Sequence, residues 1–413
     1  MERVYHYIAI LIALSALFAY VNRRFIKLPF VIGLFFLTNV VCLVAILSRS
    51  FLHWPYDEMK SLLFESNIGG IILEIFLGFL LFAGALHTNW HKLRMQLKKI
   101  SALALVGVIL STVIIAVAFY YVSHWVDIEI PFIYCLIFGA LISPTDPIAV
   151  LGILKDANVP EKIETTIVGE SLFNDGIGVV IFIALVEMLK DGSTSFDFGH
   201  FSLLFLQEAV GGIGFGLILG YILFKMMKSI DHYETEVLLT ISFVMIGYYI
   251  SNQLHFSGAL AMVVMGLMVG NFRKDISMSD TTQEYVSKFW ELMDVVLNAI
   301  LFIMIALVVV MVDLNGYYFL LAGLSILLVV ASRGLIVFGL RKAFPKQMDI
   351  NGREGRVITW AGLRGGLSIA LVLSLPNNEY RDILLVVTYC CVVFSILVQG
   401  MTIGPLAKRI LKT

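Results

Sequence analysis

The stretch VGESLFNDGIG, residues 168–178, brings together side chains that suit cation chemistry. In a helix, Ser171 and Asp175 lie four residues apart on one face, and Glu170 and Asn174 form a second such pair about 100° around the helix. Oxygen ligands on one face suit a small hard cation. A carboxylate in a setting of low dielectric also holds a proton readily, so a cation and a proton compete for it. Such competition is the chemistry of an exchanger, whereas a polar cluster that only joined helices would leave both carboxylates without a role.

The stretch SPTDP, residues 143–147, places Thr145 and Asp146 between two prolines within an apolar run. Pro147 has no N–H and clashes with the carbonyl four residues earlier, and each proline disfavours helical geometry in the preceding residue. The sequence therefore predicts a helix that is interrupted here. The break leaves amides at the start of the second half, whose positive end Asp146 offsets. A proline kink without function is common in membrane helices, but it does not explain the aspartate.

A second interrupted helix is predicted in VITWAGLRGGLSIALVL, residues 357–373, where three glycines surround Arg364. Interrupted helices occupy corresponding positions in the two halves of many secondary transporters. Arg364 would offset negative half-helix ends, as Asp146 offsets positive ones. Arg333, in another apolar run, needs a carboxylate partner at membrane depth. Glu170 is our first choice, because Asp175 must stay free, and the sequence names no partner for Glu74.

These side chains must be positioned by membrane helices. Of the 413 residues, 59% are hydrophobic and 14% charged, whereas soluble domains have about a quarter of charged residues. A helix of about 20 apolar residues crosses a ~30 Å hydrocarbon core. Hydropathy predicts about thirteen spans, at 6–22, 29–48, 68–86, 101–123, 130–154, 163–189, 203–227, 236–252, 257–271, 292–312, 317–340, 357–375 and 382–406.

The loop charges predict the orientation of these spans. Of the 29 lysines and arginines, 22 fall in alternate loops, five in the remaining loops, and two, Arg333 and Arg364, inside spans. Lysine and arginine accumulate on the cytoplasmic side of membrane proteins. The N-terminus is therefore expected outside and the C-terminus in the cytoplasm.

Several function classes are disfavoured by what the sequence lacks. There is no soluble domain and no nucleotide motif such as a P-loop, which argues against transport driven by a nucleotide. No nucleophile–base pair or metal-ligand cluster is visible, which argues against an enzyme. The four cysteines fall in apolar segments without metal spacing and are expected to be core residues. We expect no resident cofactor and no nucleic-acid partner.

The motifs SPTDP, GESLFND, ASRG and GLRGGLSIAL, in this order and spacing, closely resemble those of monovalent cation:proton antiporters of the NhaP/NHE type (the CPA1 group). The similarity runs over essentially the whole chain. It implies an all-α membrane protein with the NhaA-like antiporter fold, in which two inverted six-helix repeats make thirteen helices, discontinuous near 143–147 and 361–366. It also implies a homodimer among membrane lipids. A mobile core (about 101–189 and 317–406) would move past a dimerisation part (about 1–86 and 236–312), with a linker helix at about 203–227.

The resemblance also implies roles for single residues. Asp175 becomes the carrier of cation and proton, with Thr145, Ser171 and Glu170 around it, and Na⁺ is expected on Asp175, Ser171 and Thr145. Asp146 and Arg364 would serve the helix crossing, and Arg333 would pair with Glu170. Asn174 precedes Asp175 where electrogenic relatives have two aspartates, which implies electroneutral exchange of one Na⁺ for one H⁺.

Alternatives remain open at this point. Li⁺ or K⁺ could replace Na⁺, since the ligand types are the same, and a K⁺/H⁺ antiporter of this fold is the nearest rival. A cation channel or a cation-coupled symporter would need a continuous polar pore or a larger apolar pocket, and neither pattern is visible. The long regulatory tail of animal exchangers has no counterpart, so we expect a prokaryotic protein in the cell (inner) membrane.

Overall fold

The computed structural model describes residues 2–48, 70, 75–147, 151–154, 157, 159–190, 198–272, 280–311 and 316–411. Within these ranges the regular secondary structure is helical, as the apolar spans predict. Glu74 lies outside the described residues.

Seven helices form the first half of the described chain: α1 (Glu2–Val21), α2 (Phe30–Ser48), α3 (Leu77–His87), α4 (Trp90–Trp125), α5 (Phe132–Ile142), α6 (Glu161–Lys190) and α7 (Phe198–Lys228). A π-helical turn follows α1 at Asn22–Ile26, and another lies within α4 at Ala102–Val106. The Asn89 side chain accepts a hydrogen bond from the Lys92 N–H and so caps the start of α4.

Seven more helices follow: α8 (Tyr233–Gln253), α9 (Gly258–Phe272), α10 (Asp280–Leu307), α11 (Gly316–Ala343), α12 (Gly352–Trp360), α13 (Gly366–Leu373) and α14 (Glu379–Leu411). A 3₁₀ turn extends α10 over Val308–Met311, and one helical turn, Pro345–Met348, separates α11 from α12. Asn351 and Glu354 form a capping box at the start of α12, which satisfies amide groups that the helix itself leaves unpaired.

Within the described residues, eight helices are long and apolar enough to cross a membrane: α1, α2, α4, α6, α7, α10, α11 and α14. Three shorter apolar helices, α3, α5 and α9, accompany them. The chain is therefore a multi-pass membrane protein. Each of the thirteen predicted spans contains helix, but thirteen crossings stay a prediction. The predicted starts at 101 and 292 are too late, because α4 begins at Trp90 and α10 at Asp280, in polar turns that a hydropathy window does not detect.

Both predicted interruptions are present. Helix α5 ends at Ile142, residues 143–147 are not helical, and helix is present again at 151–154. Likewise α12 ends at Trp360, and α13 begins only at Gly366. Prolines produce the first break, and a glycine-rich segment forms the second.

The helices pack as two neighbouring groups. In one group α4 packs against α5, α6 and α11, and α11 packs against α14. In the other, α10 packs against α1, α2, α3 and α8, and α9 packs against α3, α7 and α8. Close approach of α9 to α3 depends on Gly270, where a Cβ atom would lie 2.2 Å from the Leu86 carbonyl oxygen. The division into a core, a dimerisation part and a linker helix stays a prediction.

Candidate functional site

Helix α6 carries the first predicted cluster. Asp175 lies at the middle of this 30-residue helix and is half-buried, and Ser171 lies one turn earlier and is buried. The helix begins at Glu161, so Asp175 lies about 21 Å along it. Asp175 is therefore central in this helix, and its position near the bilayer midplane stays a prediction.

Hydrogen bonds hold the first break against α6. The Asn174 Nδ2 donates to Thr145 Oγ1 over 2.8 Å, and the Thr145 N–H donates to Asn174 Oδ1 over 3.3 Å. The Ser171 hydroxyl donates to the carbonyl oxygen of Thr145. Groups that the interrupted helix leaves unpaired are thus bonded by two side chains of α6. Thr145, Ser171 and Asn174 therefore form one hydrogen-bonded unit next to Asp175.

The two interrupted helices meet at their breaks. The Asp146 N–H donates to the Leu363 carbonyl oxygen over 2.8 Å. Arg364 Nη1 donates to the carbonyl oxygens of Ser143 and Pro144, over 2.6 and 2.9 Å. The guanidinium is buried, with 2% of the residue exposed, and it lies at the negative end of α5, where a positive charge is stabilising. Arg364 thus lies where the sequence analysis expects it to offset a half-helix end.

Asp146 lies against the start of α13. A Cβ atom added to Gly365, the residue before α13, would lie 2.1 Å from Asp146 Oδ2 and 2.5 Å from Asp146 Cβ. The helix α13 has no side-chain cap from its own N-terminal residue. The Asp146 carboxylate therefore lies beside the positive end of α13, which is the half-helix of the second break. The sequence analysis expected it to offset the half-helix of the first break.

Glu170 and Arg333 form a buried ion pair that links α6 to α11. Arg333 Nη2 donates to Glu170 Oε2 over 2.7 Å, and Nη1 donates to Oε1. Glu170 is 1% and Arg333 8% exposed. This is the partner that the sequence analysis prefers for Arg333. Both carboxylate oxygens of Glu170 thus bind the guanidinium, and Glu170 is not among the described residues that line the cavity of Asp175.

A cavity of about 410 Å³ lies between the two helix groups. Asp146, Ser171, Asp175 and Asp294 line it, as do residues of α3 and the start of α13. It also reaches Lys92, Glu161 and Glu164 at the beginning of α4 and α6. The Lys92 ammonium donates to the Glu161 carboxylate, and these side chains are 47% and 66% exposed. The cavity therefore reaches the protein surface at that end of the helices.

Sequence reasoning missed Asp294 in this cavity. The predicted span began at 292, which placed Asp294 at a membrane surface, whereas α10 begins at Asp280 and has Asp294 at its middle. The spacing of Asp294 and Asn298, four residues apart, was a usable signal, since the Asn298 amide donates to Asp294 Oδ1 over 3.0 Å. No local sequence pattern indicated that Lys92 and Glu161 would lie together at the surface end of the cavity.

The arrangement suits binding of a small cation that competes with a proton. Asp175 supplies a carboxylate to the cavity, Ser171 supplies a hydroxyl, and the unwound segment supplies the Thr145 carbonyl oxygen next to that hydroxyl. Asp146 lines the same cavity as Asp175, and a bound cation or proton would relieve the repulsion between two carboxylates that share it. Nothing in the geometry requires a nucleophile or a resident cofactor.

Comparison with known proteins identifies the family of the chain. The family model described as "Sodium/hydrogen exchanger, transmembrane" matches residues 10–409. The chain is 43% identical over 409 residues to the Na⁺/H⁺ antiporter NhaP of Pseudomonas aeruginosa, covering 98% of this chain and 96% of that one. It is 37% identical over 344 residues to the Na⁺/H⁺ antiporter NhaH of Halobacillus dabanensis, covering 82% and 83%.

The fold also matches a solved structure. The sodium proton antiporter MjNhaP1 of Methanocaldococcus jannaschii superposes with a TM-score of 0.78 and 20% identity, over 100% of this chain and 99% of that one. The chain thus shares the overall fold of that antiporter.

Proposed function

The chain belongs to the sodium/hydrogen exchanger family, and we propose that it is a secondary antiporter that exchanges Na⁺ for H⁺ across the cell membrane. Its relatives are named as Na⁺/H⁺ antiporters and not as enzymes. The observation that carries the proposal is the location of Asp175. It lies at mid-helix in a cavity, beside an unwound segment whose oxygen atoms are within reach of the same helix face.

The proposed ion site uses the Asp175 carboxylate, the Ser171 hydroxyl and the main-chain oxygen of Thr145. Asn174 holds Thr145 in place through two hydrogen bonds, so it is a positioning residue and not a ligand. Glu170 fixes α6 to α11 through Arg333. Asp146 and Arg364 stabilise the meeting of the two breaks. Cation and proton exclude each other, because Asp175 binds either one but not both.

The orientation follows from the charges at one end of the molecule. Lys92, Glu161, Lys162 and Asp349 belong to three loops that the positive-inside rule assigns to the cytoplasm. Lys92 pairs with Glu161, and Lys162 pairs with Asp349, so these loops meet at one end of the molecule, as loops on the same side must. The cavity reaches that end. We therefore propose an inward-facing arrangement, with the N-terminus outside and the C-terminus in the cytoplasm, and we propose the inner membrane as its location.

We further propose one Na⁺ for one H⁺, alternating access by an elevator movement, and a homodimer in the lipid bilayer. A single Asp175, preceded by a neutral Asn174, carries one charge per cycle, whether as a sodium ion or as a proton. The ligands lie on helices of one group, around α4, α5 and α6, so this group can carry the ion past α10 and its neighbours.

The decisive experiment measures Na⁺-driven proton movement in proteoliposomes. Asp175→Asn should abolish it, while Glu187→Gln, which removes a charge further along α6, should retain it. Both variants should elute as folded protein in size-exclusion chromatography. Undiminished exchange by folded Asp175→Asn would overturn the proposal. Repeating the assay with Li⁺ and K⁺ identifies the cation, and clamping the membrane potential should leave an electroneutral exchange rate unchanged.

A further inference from the structure

Asp294 is a carboxylate of the cavity that the exchange chemistry above does not use. It lies on α10, in the helix group that does not carry Asp175. Its side chain lines the same cavity as Asp146 and Asp175 and is half-buried. A carboxylate at mid-helix in a membrane protein is costly unless it is paired or lines a wet cavity. The location of Asp294 at mid-helix in the cavity therefore suggests a functional role.

Asn298 fixes the orientation of this carboxylate. Its amide nitrogen donates to Asp294 Oδ1 over 3.0 Å and to the Asp294 carbonyl oxygen over 2.8 Å. Asn298 is only 1% exposed, and within the described residues its amide oxygen has no hydrogen-bond partner. The buried amide thus supports Asp294 and leaves an unused acceptor beside it.

Asp294 and Asp175 lie on helices of different groups, on two walls of the cavity. Within the part of the chain that the structure describes, no three acidic, histidine or cysteine side chains are close enough to hold one metal ion. Yet Asp146, Asp175 and Asp294 line the same cavity, where carboxylates of like charge repel one another. Asp175 and Asp294 therefore interact through the field of the cavity, although they lie on different helices. A cation near either of them relieves repulsion in the cavity.

We propose that Asp294 is a further residue of the antiport reaction, which attracts the incoming Na⁺ at the wall of the cavity formed by α10 and raises its capture by Asp175. This inference rests on the proposed function. A purely structural role, in which Asp294 only accepts the Asn298 hydrogen bond, predicts changes in folding and not in cation affinity. Asp294 belongs to the helix group that does not carry the ion. Its effect on Na⁺ affinity should therefore be confined to Na⁺ that enters from the cytoplasm, the side to which the cavity opens.

The test compares Na⁺ affinity from the two faces of the membrane. Proton movement is measured against Na⁺ in everted vesicles, which present the cytoplasmic face, and in right-side-out vesicles. Asp294→Asn should raise the KM for cytoplasmic Na⁺ by about fivefold or more, with the maximal rate and the external KM within about twofold. Asp294→Glu should restore most of the affinity. Glu291→Gln is the matched control, because it removes an exposed charge one turn earlier on α10.

The outcomes separate this inference from the function on which it rests. Failure of the wild type to exchange Na⁺ for H⁺ would overturn the proposed function itself. With an active wild type, an unchanged cytoplasmic KM for Asp294→Asn would overturn the inference alone. The same holds if Glu291→Gln raises the KM equally, or if the KM rises equally from both faces.

Discussion

The backbone N–H of Asp146 donates to the carbonyl oxygen of Leu363 over 2.8 Å, which joins the unwound segments of two helices that are far apart in the chain. Arg364, the residue after Leu363, donates in turn to the carbonyl oxygens that end α5. Each break therefore supplies partners for polar groups that the other leaves unpaired. In lipid, where water cannot satisfy such groups, neither segment is stable without the other.

The contact of Gly365 with Asp146 predicts a specific sensitivity. Gly365→Ala would place a methyl group 2.1 Å from Asp146 Oδ2, so the breaks must separate. We expect a destabilisation of about 1–3 kcal/mol and a large loss of exchange, measured by thermal unfolding in detergent and by vesicle transport. Gly323→Ala is the control, because a Cβ atom at Gly323 meets no atom within 4 Å. Equal behaviour of the two variants would refute the close contact.

The Glu170–Arg333 pair predicts non-additive effects. Glu170→Gln leaves a buried guanidinium unpaired and should destabilise the protein by about 3–5 kcal/mol. The double variant Glu170→Gln, Arg333→Gln should recover part of that loss, because no unpaired charge remains. Thermal unfolding of the two single variants and the double variant measures the coupling. For comparison, Glu284→Gln removes the partner of Lys288 in an exposed pair and should produce no measurable change. Additive losses would contradict a coupled pair.

The hydroxyl of Thr145 predicts different outcomes for two conservative substitutions. Thr145→Val removes the acceptor of the Asn174 amide and leaves a buried donor unpaired, at a cost of about 1–3 kcal/mol. We expect a clear fall in exchange rate, measured in proteoliposomes, since the unwound segment loses its fixed position. Thr145→Ser keeps the acceptor and should remain close to the wild type. If both variants behave alike, the hydrogen bond to Asn174 does not position the site.

Competition at Asp175 predicts how exchange depends on pH. Below the pKa of the Asp175 carboxyl, the apparent KM for Na⁺ should rise by about tenfold for each pH unit, while the maximal rate at saturating Na⁺ stays nearly constant. Vesicle transport at several Na⁺ concentrations and pH values gives both quantities. Ser171→Ala should raise the KM at every pH without changing this slope, because it removes a ligand but not the titrating group. A pH-independent KM would rule competition out.

The Lys162–Asp349 pair should not contribute to that pH dependence. The hydrogen bond and charge of Lys162 lower the pKa of Asp349 below its usual 3.8. A carboxyl group with a lowered pKa adds stability above its unfolded pKa, and this stability is lost as the pH falls through the lowered value. Asp349→Asn should therefore lower the melting temperature equally at pH 6 and pH 8, with a difference that disappears only below about pH 4. Melting curves across pH 3–8 test this, and a difference between pH 6 and pH 8 would contradict it.

Local rules explain why some of the site could be predicted from sequence. Prolines around Asp146 and glycines around Arg364 have direct backbone consequences, so both breaks were predictable. A buried arginine such as Arg333 requires a carboxylate partner. Few acidic residues fall inside the predicted spans, so Glu170 could be chosen. Membrane orientation likewise had a statistical rule, and the orientation that it gives stays a prediction.

Other features depend on tertiary packing and had no local signal. The Ser395 hydroxyl accepts a hydrogen bond from the Arg364 N–H over 2.7 Å, and it lies in a π-helical turn, Phe394–Gln399. The role of Asp294 depends on where α10 begins, and its polar first half concealed that start from a hydropathy window. The carboxylate of Asp146 lies beside the start of α13, because the fold brings Gly365 to it.

The hydrogen bonds from Ser171 and Asn174 to Thr145 have a consequence for the transport cycle. They tie the unwound segment to α6, so the oxygen atoms of both elements must move as one rigid unit if the core moves. Under the proposed elevator movement, the site would open first to one side of the membrane and then to the other. The sodium ion would keep the same protein ligands throughout. The protein ligands of the bound ion would then be the same at both ends of its path, so a difference in Na⁺ affinity between the two sides would come from residues outside this unit, such as Asp294.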